Sequence, residues 1–443
     1  MKFFDFLENR RLALILAGIL IALHVGAFSY RTVVGANVTD DSAEYMLCAQ
    51  NAADGIGFQP TSEDEPYTEE AISRRTPGYP AIILAMGQSE IAVMALQALL
   101  SLATIGFCIF FVRRFTQALA PLNFLLAGFI FTPSQVIYAT SIMSEIPFQF
   151  CLTLGIGTAI LYFKENSSKW IILSAIAFSI GFAIKPILYP AAIIFSVAGL
   201  VFALRKKELR LIPALLLPAI CVLAVAGWNY TRTQALEISS IQTTNMLDYN
   251  MKLVLYQAEG QERGDWIIDS LETEAGKIQN YPNRQQFRSQ KSREIFLAHP
   301  FIAAYQFTKG FILFFADPGR FDIITYAGFD NRQGFMNAFA AQDSGLIKKI
   351  LNMMPPWLWA ILITVLLFNI VKILCYGIFL AKVKGQQPAK ILLTCGIIFI
   401  ALATGPLGVS RYALPVVPLI LIGGSFAFCK DLFFGKKSIL KKN

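Results

Sequence analysis

Thr39-Asp40-Asp41-Ser42-Ala43-Glu44-Tyr45 opens a polar stretch, and Arg74-Arg75-Thr76-Pro77-Gly78-Tyr79-Pro80 closes it. Strongly apolar runs lie on both sides. Two adjacent acids stand at its start and two adjacent arginines at its end. A segment this polar does not enter hydrocarbon, whereas the flanking runs are suited to little else. The order therefore reads as a span, an extramembrane loop and a return, and the fold class follows: an all-α polytopic membrane protein.

The totals agree. Of 443 residues, 55% are hydrophobic and only 15% charged, with a mean hydropathy of +0.55, outside the usual range for a soluble chain. Crossing the hydrocarbon core takes roughly 20 apolar residues, fewer when flanking side chains snorkel. Segments 12–30, 91–112, 119–138, 146–163, 170–184, 187–204 and 211–228 meet this, so residues 1–228 read as a membrane module of seven spans. Its first outer loop is 31–90, in which 81–86 is apolar but too short to cross. Pro133 puts a kink into the third span. From 229 to 355 the chain is mostly polar, with Gly-Asp, Tyr-Pro and Asp-Pro-Gly punctuation typical of loops. This is the one candidate for a small extracytoplasmic segment. Spans 357–376, 391–404 and 412–429, with a basic tail, complete a C-terminal module over 356–443, for ten spans in all.

Positive charge flanking spans marks the cytoplasmic side. With the N-terminus inside, the inner segments carry Arg10 and Arg11, Arg113 and Arg114, Lys164 and Lys169, then Arg205, Lys206, Lys207 and Arg210. Lys382, Lys384, Lys390 and the lysines of the tail follow the same rule. The apolar, aromatic run 300–316 breaks this pattern if it crosses, so it reads as an interfacial helix at the outer face. The net charge of +9 is thus spent at the membrane edge, which argues against nucleic acid as a partner. The first apolar run lacks a cleavage pattern and reads as an uncleaved span. Six of the seven cysteines fall in or beside apolar runs and Cys48 alone in the polar loop, without disulfide or zinc spacing. The presence of only His24 and His299 argues against histidine triads and multi-histidine metal sites. His24, inside the first span, reads as a group at a helix interface.

Topology brings dispersed polar residues to one face: Asp40 and Asp41 in the first outer loop, Glu145 at the start of the fourth span, Lys185 after the fifth and Arg411 before the last. Charge near hydrocarbon faces a cavity or a partner. Carboxylates and cations gathered at one membrane face suit a ligand with a phosphate on a lipid and a group to transfer. Each residue also has a plainer reading. Asp41 with Glu44 fits a capping box, Arg74 and Arg75 fit interfacial anchors, and Thr76-Pro77-Gly78 fits a turn. Glu145 suits a helix N-terminus, and Lys185-Pro186 suits a snorkelling end residue with a helix breaker. The acidic run Glu63, Asp64, Glu65, Glu69 and Glu70 reads as solvated loop, with a divalent cation as the alternative.

The order Asp-Ser-Ala-Glu-Tyr then Arg-Thr-Pro-Gly-Tyr-Pro resembles the first outer loop of the GT-C glycosyltransferases, in particular the bacterial branch of aminoarabinose and protein mannosyl transferases. Met143-Ser144-Glu145-Ile146-Pro147, Ile184-Lys185-Pro186, and Arg411-Tyr412 with Pro415 and Pro418 are similar to further elements of that family. The likeness leaves 229–355 unmatched. It implies transfer of a sugar, with inversion, from a polyprenyl-phosphate donor to a glycan, lipid or protein acceptor at the extracytoplasmic face of a bacterial inner membrane. Asp41, with Asp40 beside it, becomes the general base and Glu145 a second acid. Glu44, Tyr45, Arg74, Arg75, Tyr79, Lys185, Arg411 and Tyr412 become substrate-binding, with the cations on the lipid phosphate. The chain departs from the family where Ser42 follows Asp41 in place of Glu, and where Lys185 stands in place of Arg. Two other readings use the same cations: a transporter or flippase for a lipid-linked or anionic solute, and a ligase moving a whole glycan.

Overall fold

A computed structural model describes residues 6–62, 68–327, 345 and 355–429. Among these residues there are helices and turns but no strand, only an isolated bridge between Asn37 and Ser141. In chain order, α1 (Arg10–Val34) leads to the polar loop, which carries α2 (Asp40–Ala53) and α3 (Gly78–Ala85). Then come α4 (Glu90–Phe115), the pair α5 (Ala120–Ile130) and α6 (Pro133–Ala139), α7 (Glu145–Glu165) and α8 (Ser168–Ile184). The helices α9 (Pro186–Lys206) and α10 (Leu209–Thr233) follow. A polar unit of α11 (Lys252–Glu259), α12 (Gln261–Gly276) and α13 (Tyr281–Ala298) precedes α14 (Pro300–Ala316) and α15 (Arg320–Tyr326). The chain returns as α16 (Pro356–Lys382), α17 (Gln387–Ala403) and α18 (Ser410–Phe428).

The protein is an integral, multi-pass membrane protein. Seven of the described helices (α1, α4, α7, α9, α10, α16 and α18) are long and apolar enough to cross, and α5 with α6 makes an eighth as a bent pair. The other two spans read from the sequence are α8 and α17, each 17 residues, or about 25 Å of rise. They reach the hydrocarbon borders only with help from their flanks. Pro133 does more than kink its span: α5 and α6 meet at 61°. Proline brings no N–H to the break, and Thr132 Oγ1 donates to the Gly128 carbonyl at 2.8 Å.

Helix ends follow local chemistry. Asn9 accepts from the Arg11 amide at 2.8 Å to start α1, and Gly35, at φ +93°, lets the chain leave it. Arg113 and Arg114 occupy the last turn of α4, where the helix dipole favours cations. The spans are unequally enclosed. α7 and α18 are 83% and 78% buried, against 11% for α1. These two central helices begin with Glu145 and with Ser410-Arg411, so the most rigidly held parts of the bundle carry the charges.

Residues 241–298 form helices where punctuation suggests loops. Leu247, Met251, Val254 and Leu255 recur at helical spacing and pack on Ile268 and Ala303. Tyr281-Pro282 starts α13 instead of breaking a helix, because proline is tolerated in a first turn and Asn280 caps the Asn283 amide at 3.0 Å. Gly264, in the first turn of α12, admits the Tyr256 ring, which a Cβ there would meet at 2.8 Å. Asp317-Pro318-Gly319 does break the chain, with Gly319 at φ +78°.

Candidate functional site: an ion-paired chamber

Thr39 caps α2: its hydroxyl accepts from the Ser42 amide at 3.4 Å, and Ser42 Oγ accepts from the Thr39 amide at 2.9 Å. The capping box is therefore Thr39 with Ser42, not Asp41 with Glu44. Both carboxylates are left for other partners. Glu44 receives Arg74 Nε and Nη2 at 3.0 and 2.9 Å and Arg75 Nε at 2.7 Å. Arg75 lies over the Tyr45 ring, 4.7 Å from its centroid, and donates its Nη2 to Asp41 Oδ1.

The Thr-Pro-Gly turn sets this register. A Cβ on Gly78 would stand 2.5 Å from the Ala183 carbonyl, so glycine lets the loop lie against the end of α8. Thr76 Oγ1 donates to the Ile184 carbonyl at 3.3 Å. Lys185, next in the chain, donates Nζ to Glu145 Oε1 at 2.9 Å. Arg411 joins the two halves: Nε donates to the same Oε1 at 2.6 Å, and Nη2 to Asp41 Oδ2. Burial alone would raise the Asp41 carboxyl, but Arg411 and Arg75 outweigh it and hold the group well below the usual carboxylate range.

These groups face a cavity of about 1080 Å³. Asp40, Asp41, Tyr45, Arg74, Arg75, Lys185, Arg411 and Tyr412 line it, eight of the eleven residues singled out from the sequence. The other three do not. Glu44 stands behind the two arginines. Tyr79 is buried beneath Tyr45, edge-on at 4.8 Å, with its hydroxyl on Gln97 at 2.6 Å. It supports the wall and does not bind from it. Glu145 has no exposure and Oε2 without a partner, so it reaches the chamber only through Lys185 and Arg411.

The polar segment 241–276 contributes Asp248, Lys252, Tyr256, Asp269 and Glu272 to the lining. Ion pairs seat the polar unit on the first loop. Arg284 donates to Glu69 at 2.6 Å and Arg288 to Glu70 at 2.8 Å, while Arg288 also ties α13 to α12 through Glu272 at 2.7 Å. Glu69 and Glu70 are thus tied by arginines instead of merely solvated; Glu63, Asp64 and Glu65 lie outside the described residues. No group of three or more His, Cys, Asp or Glu suited to a metal occurs among the described residues.

Sequence reading missed three acids. Asp248 lines the chamber with Oδ1 buried and unpartnered, in a π-helical turn at Asn245–Met251. Burial and Glu272 push its carboxyl up to about 6, against Arg288, Lys252 and Arg74. Asp322 accepts from Ser134, Tyr138 and Ser410 at 2.7, 2.8 and 2.7 Å, and Asp317 accepts from the Ser410 amide at 2.7 Å. Both hold the start of α18, and so Arg411, in place. The one local signal is that Asp322 and Asp248 each stand in the first turn of a helical segment.

Fold and site define a polytopic helical membrane protein with a charged chamber at one end of its bundle, lined by Arg74, Arg75, Lys185, Lys252 and Arg411 and by as many acids. No protein-family model matches the chain, and no curated protein matches it. Among solved structures it is similar to ArnT from Cupriavidus metallidurans, crystallised with undecaprenyl phosphate. That similarity has 14% identity, covers 93% of this chain and 77% of that one, and gives a TM-score of 0.38. A likeness so distant assigns no residue, and the functional reading rests on the chamber itself.

Proposed function

We propose that the protein is an inverting glycosyltransferase that moves a sugar from a polyprenyl-phosphate-linked donor to an acceptor hydroxyl in this chamber. The observation that carries the reading is the convergence of Arg75, Lys185 and Arg411 on one wall beside Asp41. Guanidinium forks suit a phosphate, and cations there stabilise the charge that grows as it leaves. Asp41 takes the proton of the acceptor O–H while that oxygen forms its bond to the anomeric carbon. The carbon–phosphate oxygen bond breaks on the opposite side, the lipid phosphate departs with the electron pair, and Asp41 returns the proton to solvent. Glu145 is a positioning residue that fixes Lys185 and Arg411. The basic ends of α4, α7 and α9 lie at the opposite ends of their helices, which supports an extracytoplasmic chamber.

The test is reconstitution in vesicles with radiolabelled polyprenyl-phosphate sugars offered one at a time, together with lipid and glycan acceptors. Wild type is expected to transfer label, and Asp41→Asn to lose roughly 10²–10⁴-fold in rate, as expected for a missing general base. Transfer by Asp41→Asn at the wild-type rate removes the base assignment. Movement of the lipid across the bilayer with no transfer for any donor establishes the carrier reading instead.

A further inference from the structure

We infer that the Asp41 carboxylate occupies the seat of the donor phosphate, and that the phosphate frees the base by taking its place between Arg75 and Arg411. This rests on the glycosyltransferase reading and adds an order of events to it. A carboxylate held by two guanidiniums is poorly suited to accept a proton, so the arrangement in this structure is not the reacting one.

The geometry shows how the exchange proceeds without dismantling the wall. Each arginine is held twice. Arg75 keeps Nε on Glu44 at 2.7 Å and Arg411 keeps Nε on buried Glu145 at 2.6 Å, while both Nη2 groups reach Asp41 from opposite sides. The Nε anchors fix the forks, and only the outer ends change partner. Lys185, anchored on the same Glu145 oxygen, lines the chamber beside them. A donor phosphodiester brings one negative charge, so both guanidiniums keep an anionic partner after the exchange. Asp41 is then released at the edge of the phosphate it has yielded to, in α2, whose start the Thr39 and Ser42 cap keeps fixed. An acceptor hydroxyl thus meets a competent base only when donor is bound, which couples acceptor activation to the presence of a sugar to transfer.

The exchange reverses the usual expectation for a substitution in a binding wall. The probe is undecaprenyl phosphate, with neutral undecaprenol as its control, titrated by intrinsic tryptophan fluorescence or native mass spectrometry against detergent-purified full-length protein. Asp41→Asn removes the competing charge and is expected to bind the phosphate roughly tenfold more tightly than wild type. Asp41→Ser, run alongside so that one poorly folded variant does not decide the matter, is expected to do the same. Glu274→Gln, the same charge change on an exposed residue outside the chamber, is expected to leave affinity unchanged. Arg411→Ala is expected to weaken binding.

Equal or weaker binding by Asp41→Asn and Asp41→Ser, with wild type and Arg411→Ala behaving as stated, overturns the exchange and leaves the phosphate grip standing. If wild type and every variant bind undecaprenyl phosphate no better than undecaprenol, the grip itself fails, and the glycosyltransferase reading with it.

Discussion

Glu145→Gln separates the electrostatic work of the site from its shape. The carboxylate has no exposure, and its Oε1 takes both Lys185 Nζ at 2.9 Å and Arg411 Nε at 2.6 Å. Removing one partner of a buried ion pair costs about 3–5 kcal/mol because a charge is stranded. Here the stranded groups are the cations, and their side chains keep 16% and 23% exposure to the chamber, so water recovers part of that. Glutamine also retains an oxygen that can accept. Its amide nitrogen then falls at the buried Oε2 position, which receives no hydrogen bond here, and must find an acceptor of its own. A loss of about 2–4 kcal/mol of stability is the balance. Thermal unfolding in detergent, followed by tryptophan fluorescence, reads it. Saturating undecaprenyl phosphate should raise the melting temperature of the variant more than that of wild type, since the ligand supplies the missing negative charge. A variant with wild-type melting temperature and the same ligand-induced shift would refute the view that Glu145 neutralises this wall.

Four other perturbations probe separate parts of the chain. The Asp248 carboxyl, raised to about 6, binds more protons folded than unfolded between roughly pH 4 and 6, so on its account stability falls as pH rises through that window. Asp248→Asn should flatten that limb of a melting-temperature profile. Gly408→Ala puts a methyl 1.7 Å from the Gly310 carbonyl and should cost at least about 1–3 kcal/mol, seen as loss of monodisperse protein in size-exclusion chromatography. His24 joins α1 to α4 through Ser101 at 2.8 Å, and His24→Phe, which leaves that hydroxyl without this partner, should cost about 1–2 kcal/mol in the same melts. Arg284→Ala combined with Arg288→Ala cuts the pairs to Glu69 and Glu70 that seat the polar unit on the first loop, together with the Arg288–Glu272 pair inside the unit, and hydrogen exchange should quicken across 241–298 while α7 stays protected.

What the sequence disclosed and what it concealed divide along physical lines. Hydropathy is a sum over about 20 residues, and that sum locates α1, α4, α7, α9, α10, α16 and α18 whatever their neighbours are. Charge at bilayer depth is costly wherever it occurs, which is why Asp41, Lys185 and Arg411 were recognisable and do line one cavity. Hydrogen bonding has no such local signature. Asp41 with Glu44 and Thr39 with Ser42 both satisfy a capping pattern, and only the direction of the arginines decides between them. Tyr79 and Glu145 have the composition of site residues, yet both are shut away from the chamber by contacts with distant parts of the chain. Asp248 and Asp322 were illegible for a related reason: they lie in the seven-residue turn 245–251 and in the seven-residue α15, and they acquire meaning only once folded against distant residues such as Glu272, Ser134 and Ser410.

The placement of the charges follows from what a membrane helix can offer. A span must be apolar along its length, so a polar site has room only at its end, where orphan backbone groups and an oriented dipole are available. Ends are ordinarily the frayed, mobile part of a helix, a poor support for groups that must hold a phosphate to within an ångström. Here the ends that matter belong to α7 and α18, the two most enclosed spans, and Ser410 is fastened by Asp317 and Asp322 from outside the helix. Rigidity is imported from the core and from the loop around 317–322. The movable partner is then the Asp41 side chain, in the first turn of α2, and not the arginine opposite it. If Asp322→Ala, which cuts this fastening, leaves both the lipid affinity and the hydrogen-exchange protection of residues 410–416 at wild-type values, this division between fixed cations and a yielding carboxylate is wrong.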